Sequence, residues 1–256
     1  MNSNDIAQDI AQENAQKNLE KLTRNRYPGR GIIIGMDETG QNMVQIYWIM
    51  GRSSGSRNRL FGSENGRLFT EPADPSKVRD SSLIIYDAMM EKGVHFVVSN
   101  GSQTEGTLQS LADASLTYCR ALAKYTYEPD APIYTPRING ICWLGSKPIF
   151  ELAIIKKSWW NNSCNRFFWK YDPIHPGFGF YISTYAEDGD PPPDFTGEPL
   201  LVPLCGDIET IAQTYWQTLN EPNRVSLAVK FISTKSRAST IHIINKYKKV
   251  KERQVA

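Results

Sequence analysis

The sequence predicts an α+β fold in which two largely antiparallel sheets are layered with covering helices. Three observations carry this expectation. Apolar runs come in pairs joined by short turns, so the strands form hairpins and pair antiparallel. Residues 30–36 (RGIIIGM) and 43–50 (MVQIYWIM) are apolar almost without interruption, as expected of strands covered on both faces. Only two or three segments repeat apolar residues at helical spacing, which leaves helices as cover and not as the core.

The elements follow in order. Residues 5–22 place Ile6, Ile10, Leu19 and Leu22 among polar residues, a helix with a narrow apolar stripe that caps the domain or packs on a partner. Strands over 30–36 and 43–50 flank the Asp37-Glu38-Thr39-Gly40 turn. Residues 51–59 (GRSSGSRNR) read as a polar loop. Strands follow over 83–89 and 94–99, then a turn at 100–106. The spacing of Leu108, Leu111, Ala112, Ser115, Leu116, Cys119 and Leu122 predicts a helix over 108–124. A proline-rich loop, 128–137, precedes a hairpin of strands 138–144 and 149–156. A strand over 178–185, a Pro/Gly loop at 187–199, a helix over 207–219 and strands over 225–233 and 240–244 complete the pattern. No linker and no repeat divides it. The expected organisation is an N-terminal helical extension (1–26), one domain (27–245) and a basic tail (246–256).

Composition excludes several classes. The chain has 256 residues, 29 Lys+Arg against 27 Asp+Glu, and a formal charge of +2, so bulk charge gives no argument for nucleic-acid binding. The basic tail is the one feature that points that way, and such tails are ordinarily solvated ends. No apolar stretch is long enough to cross a bilayer, and residues 1–22 lack the apolar core of a secretory leader. Four cysteines without a CxxC and three scattered histidines give no metal-ligand spacing; the expectation is a reduced, cytoplasmic protein with no metal. Phosphate-loop and dinucleotide signatures are absent from the sequence.

Two segments carry candidate chemistry. Residues 51–59 hold Arg52, Arg57 and Arg59, spaced by serine and glycine directly after a buried strand. Guanidinium groups bind phosphate bidentately, and Ser hydroxyls with Gly amides complete such a cradle. The same composition also describes a solvated basic loop. Residues 127–138 (YEPDAPIYTPRI) place Glu128, Asp130 and Arg137 on a loop stiffened by three prolines, a rigid mount for an acid or base. The alternative is a surface connection in which Arg137 pairs with Asp130. A third segment, 175–185 (HPGFGFYISTY), is a turn entering a strand and is weak by itself.

Taken together, YPGRGIIIGM, YWIMGRSSGSRNRLF, SLIIYDAM, VVSNGSQTEG, YEPDAPIYTPRINGI, FGFYISTY and DFTGEPLLV resemble the archaeal-type IMP cyclohydrolase (PurO-like) family, in the same order from about residue 27 to about residue 203. The resemblance implies a four-layer αββα fold of the Ntn-hydrolase type, without self-processing. It implies closure of the purine ring of 5-formamidoimidazole-4-carboxamide ribonucleotide to give IMP and water. It implies a small-molecule purine ribonucleotide as partner and no metal or organic cofactor; the short apolar stretches add no membrane, and the balanced charge disfavours nucleic acid. Whether the protein forms a homo-oligomer is left open. By similarity, Tyr86 and Glu128 match the family's catalytic tyrosine and glutamate, and Arg57 an active-site arginine, with Arg59 taking that place if the loop is gapped. Arg52 suits phosphate or oxygen stabilisation, Asn100 and Gly101 contact with the imidazole or carboxamide, and Arg137 orientation of Glu128. The chain departs from the pattern at Asp87, where Asn is expected, at Gln103, where His is frequent, and at Pro191-Pro192-Pro193-Asp194. A non-catalytic purine-nucleotide-binding relative is the alternative function.

Overall fold

A computed structural model describes residues 3–78, 85–113, 115–172 and 175–249. Helix α1 (Ser3–Arg24) leads into strands β1 (Gly31–Met36) and β2 (Asn42–Met50) and a single-turn helix α2 (Ser54–Arg57). Strands β3 (Leu60–Glu64), β4 (Arg67–Glu71), β5 (Asp87–Lys92) and β6 (His95–Ser99) come next, then helices α3 (Gln103–Ser110) and α4 (Tyr118–Leu122). The chain continues through β7 (Arg137–Leu144), β8 (Pro148–Lys157), β9 (Cys164–Tyr171), β10 (Phe178–Ser183), β11 (Leu200–Pro203), α5 (Ile208–Thr218), β12 (Arg224–Ser233) and β13 (Ser239–Asn245). The strands form a six-stranded sheet, β11-β10-β1-β2-β12-β13, and a seven-stranded sheet, β3-β4-β5-β6-β7-β8-β9. Neighbouring strands in both run antiparallel.

Alternation along each strand explains the layering. Ile32 and Ile34 of β1 and Tyr47 and Ile49 of β2 point into a core shared with Phe96, Val98, Ile138, Phe150, Leu152 and Ile154 of the other sheet. Their neighbours Ile33, Val44, Ile46 and Trp48 point the opposite way, onto Leu19 and Leu22 of α1 and Ile211, Ala212 and Tyr215 of α5. On the second sheet, Val97, Ile141, Ala153 and Ile155 pack on Leu108 of α3 and on Tyr118, Ala121 and Leu122 of α4. The two sheets therefore face each other with helices on both outer sides. Burial of each such aliphatic side chain contributes roughly 1.5–3 kcal/mol, so the uninterrupted apolar runs carry much of the stability.

Several expected boundaries change. The helix over 108–124 starts earlier and is broken: α3 ends at Ser110, and α4 resumes at Tyr118. Asp113 accepts bonds from the backbone and hydroxyl of Ser115, and Thr117 caps α4 through Arg120 N–H, so local side-chain bonds replace the helical ladder there. The loop at 51–59 contains α2, closed by a reciprocal capping box between Ser53 and Ser56. The strand over 83–89 begins on residues outside those described and forms from Asp87 onward, leaving Tyr86 just before it. Strands β3, β4, β9 and β11 are additions to the expected set. In the basic tail, Lys246 pairs with Glu221 and Lys249 with Glu71; residues 250–256 lie outside the described range. Helix α1 is tied to the domain by Asn18, which donates to the Leu201 carbonyl, and by Leu19 and Leu22.

Candidate active site

Glu128 sits at the centre of the charged interior. Its loop is fixed by its own amide, which donates to the Thr135 carbonyl, and by Asp130, which accepts from the amide and hydroxyl of Thr135. This closes the segment on itself and turns the Glu128 side chain inward, where it is buried. Arg30, just ahead of β1, donates through Nη2 to Glu128 Oε2 at 2.9 Å. Asn100 Nδ2, after β6, approaches Oε1 at 3.4 Å. Burial pushes the Glu128 pKa up, and Arg30 and Arg137 oppose that rise without cancelling it. Burial works against the Arg30 charge, but the Glu128 carboxylate together with Tyr86, Tyr185 and Tyr47 outweighs it and the guanidinium stays charged. A carboxyl group raised in this way beside a fixed cation is suited to exchanging a proton with a substrate.

Two tyrosines stand near this pair. Tyr86 Oη and Tyr47 Oη are 2.7 Å apart and both side chains are buried. The Tyr86 backbone is held by Thr70, whose amide and hydroxyl bond to the Tyr86 carbonyl. Burial raises the Tyr47 pKa, the Tyr86 hydroxyl adds to this, and the charge of Arg30 opposes it. Tyr185 Oη bonds to Thr135 Oγ1 at 2.8 Å, and burial pushes its pKa up to about 12.

Arg30 also lines a pocket of about 310 Å³ with Arg52, Arg59, Ser53, Thr135 and Tyr185. Arg59 is buried and donates to the carbonyls of Ser56 and Met50. Arg52 donates to Asp188 at 2.8 Å and to the Gly189 carbonyl, and its guanidinium lies 4.5 Å from the Tyr27 ring centroid. A larger pocket, about 900 Å³, lies between α1 and residues 175–180 over Phe150, Phe178 and Phe180. Among the described residues its lining holds no arginine or lysine, whereas the smaller pocket sets Arg30, Arg52 and Arg59 against the single carboxylate of Asp130, so the smaller pocket is the better match to an anionic ligand. Among the described residues, no group of three or more His, Cys, Asp or Glu converges as a metal site.

A family model for IMP cyclohydrolase-like proteins matches residues 27–236. The chain belongs to the IMP cyclohydrolase-like family. It has no close match among curated proteins. The match begins after α1 and takes in β1 to β12.

Within this IMP cyclohydrolase-like chain, the expected site residues fall into three groups. Glu128, Asn100 and, through Arg30, the pocket residues Arg52 and Arg59 are brought together. Tyr86 is adjacent through its hydroxyl pair with Tyr47. Arg57 turns away from them: Nε donates to the Gly51 carbonyl, and Nη2 approaches Asn223 Oδ1 at 3.4 Å. Arg137 does not bond to Asp130; it donates to the Thr126 carbonyl and to Gln103 Oε1 at 2.7 Å. Gly101 lies under that arginine, where an added Cβ would sit 2.4 Å from Arg137 Nη1. Asp87, the first residue of β5, pairs with Arg67. Arg30, Tyr47 and Tyr185 were not singled out by sequence reasoning. Arg30 stands in the YPGRGIII segment, and a basic residue at a strand start carries no signal of its own.

Proposed function

We propose that the protein is an IMP cyclohydrolase, closing the ring of 5-formamidoimidazole-4-carboxamide ribonucleotide to give IMP and water. The single observation that carries this is the buried Glu128–Arg30 pair at the edge of an arginine-lined pocket, in a chain of this family. In the reaction, the carboxamide nitrogen attacks the formyl carbon on the same ring. The attack is intramolecular, so holding the two groups in a reactive rotamer supplies much of the acceleration. The carboxamide nitrogen loses a proton as the C–N bond forms, and the formyl oxygen gains negative charge and is protonated to a hydroxyl. A second proton lets that hydroxyl leave as water, as the formamido nitrogen gives up its own proton and the ring C=N bond forms.

Glu128, with its raised pKa, takes the carboxamide proton directly or through one water. Tyr86 donates its hydroxyl proton to the formyl oxygen as charge builds there. Tyr47 holds the Tyr86 hydroxyl in place. We assign stabilisation of the developing oxyanion to Arg30 and not to Arg57, since Arg30 is the arginine bonded to Glu128. Arg52 and Arg59 hold the 5′-phosphate, whose binding orients the ring remotely from the reacting atoms. On this reading the protein acts in purine biosynthesis in the cytoplasm, and its facing sheets with outer helices correspond to the Ntn-hydrolase arrangement. The test is direct: purified protein is given the formylated ribonucleotide and IMP is followed against a buffer control. Binding of IMP with no IMP formation above the control would favour the non-catalytic relative.

A further inference from the structure

Four side chains form one hydrogen-bonded line between a guanidinium and a carboxylate. Arg137 Nη1 donates to Gln103 Oε1 at 2.7 Å. Gln103 Nε2 donates to Asn100 Oδ1 at 3.2 Å. Asn100 Nδ2 then faces Glu128 Oε1 at 3.4 Å and donates to the Pro136 carbonyl at 2.9 Å. Gln103 and Asn100 are fully buried, so neither amide can exchange these partners for bulk water.

The direction of this line is set at its ends. A guanidinium has donors only, so Gln103 must offer Arg137 its oxygen and turn its NH₂ toward Asn100. Asn100 then presents its oxygen to Gln103, and the Ile138 amide, which also donates to Asn100 Oδ1 at 2.9 Å, requires the same orientation. The Asn100 NH₂ is left pointing at two acceptors, the Pro136 carbonyl and the Glu128 carboxylate. With either amide flipped, an oxygen would face a carboxylate or another oxygen inside the protein, which is costly when buried.

We propose that Gln103 and Arg137 are positioning residues for Glu128, fixing the Asn100 amide so that a donor and not an acceptor faces the carboxylate. The inference rests on the reading of Glu128 as the acid–base group. Arg30 binds one carboxylate oxygen and this line serves the other, so the carboxylate plane is set from both sides. The charged and titratable groups facing Glu128 are Arg30 ahead of β1, Arg137 at the start of β7, and Asp130 on its own loop. Arg137 thus acts at a distance, both through its charge and through the amide orientation it imposes. Gly101 belongs to the same device, since a side chain there would displace both Arg137 Nη1 and Gln103 Oε1.

The experiment is a carbon-13 NMR titration of the Glu128 carboxyl in the ligand-free protein, assigned with Glu128→Gln, alongside the pH profile of kcat/KM. Two variants of similar volume are compared with wild type: Gln103→Met, which breaks the line, and Gln103→Glu, which keeps an acceptor for Arg137 but removes the donor toward Asn100. Melting temperatures establish which variants are folded. Losing the donor disfavours the ionised carboxylate, so the Glu128 titration should move upward in both, and the acidic limb of the pH profile should move with it. An unmoved Glu128 titration in either folded variant would overturn the inference, whatever happened to turnover. A moved titration in a protein that makes no IMP would uphold the line while rejecting the catalytic reading, so the two failures are distinguishable.

Discussion

Arg30 and Glu128 lie 98 positions apart in the chain and meet as a buried ion pair, Nη2 to Oε2, at 2.9 Å. One comes from the chain entering the six-stranded sheet and the other from the loop leading into the seven-stranded sheet. The pair therefore joins the two halves of the fold, and its arginine lines the smaller pocket.

Removing one member of that pair leaves the other charge buried and alone. Arg30→Met should cost about 3–5 kcal/mol by denaturant unfolding, and Arg30→Met combined with Glu128→Gln should cost less than the two single changes added together. Additive losses would show that the pair is not energetically coupled.

Activity should fall on the acid side at a pH above that of an ordinary glutamate. Glu128 must be ionised to accept a proton, and its pKa is raised above the usual 4.5 by burial. The kcat/KM of the ring closure should therefore decline as pH falls through that raised value. A profile flat down to the ordinary glutamate range would remove Glu128 as the base.

IMP should bind far better than inosine, by about ten- to a hundredfold, because hydrogen bonds from Arg59 and Arg52 to the phosphate are charge-assisted. Arg52 is shared with Asp188 in the free protein, so Asp188→Asn should release it and tighten IMP binding by about two- to fivefold. Calorimetry with both ligands checks both statements, and equal affinity for IMP and inosine would place the phosphate elsewhere.

Gly101→Ala should lower the melting temperature, because the new methyl group would lie 2.4 Å from Arg137 Nη1 and 2.8 Å from Gln103 Oε1, both of them hydrogen-bonded. A stability equal to wild type would mean that Arg137 yields freely and is not fixed by its partners.

The parts of the fold legible in the sequence were those whose burial is uniform. Strands β1 and β2 are covered on both faces, and their apolar runs announce it. Strand β9 was hidden because it is an edge strand, half exposed, with Arg166 and Lys170 set among its aromatic residues. The β3–β4 hairpin offered a usable signal in Asn65-Gly66, both with positive φ at its turn, which periodicity alone passed over. The broken helix was misread because the apolar spacing continues across Asp113 while its hydrogen bonds do not. At the site, Glu128 was legible as a carboxylate on a proline-stiffened loop. Arg30 was not, because only the tertiary fold brings a strand-start arginine to it. The three arginines of 51–59 looked alike in sequence; the one-turn helix α2 separates them, turning Arg57 toward Gly51 and Asn223 while Arg52 and Arg59 line the pocket.

Tyr86→Phe should lower turnover by about 10²–10⁴ with little change in IMP affinity, whereas Tyr47→Phe should cost less, since it removes only the group that holds the Tyr86 hydroxyl. Equal losses in the two variants would point to Tyr47 as the donor instead.

The most direct test of the acid–base assignment is turnover of the formylated ribonucleotide by Glu128→Gln, measured with its melting temperature and its IMP affinity. The account predicts a folded protein that binds IMP nearly as wild type does and forms it about 10²–10⁴ times more slowly. Wild-type turnover by that folded variant would contradict it.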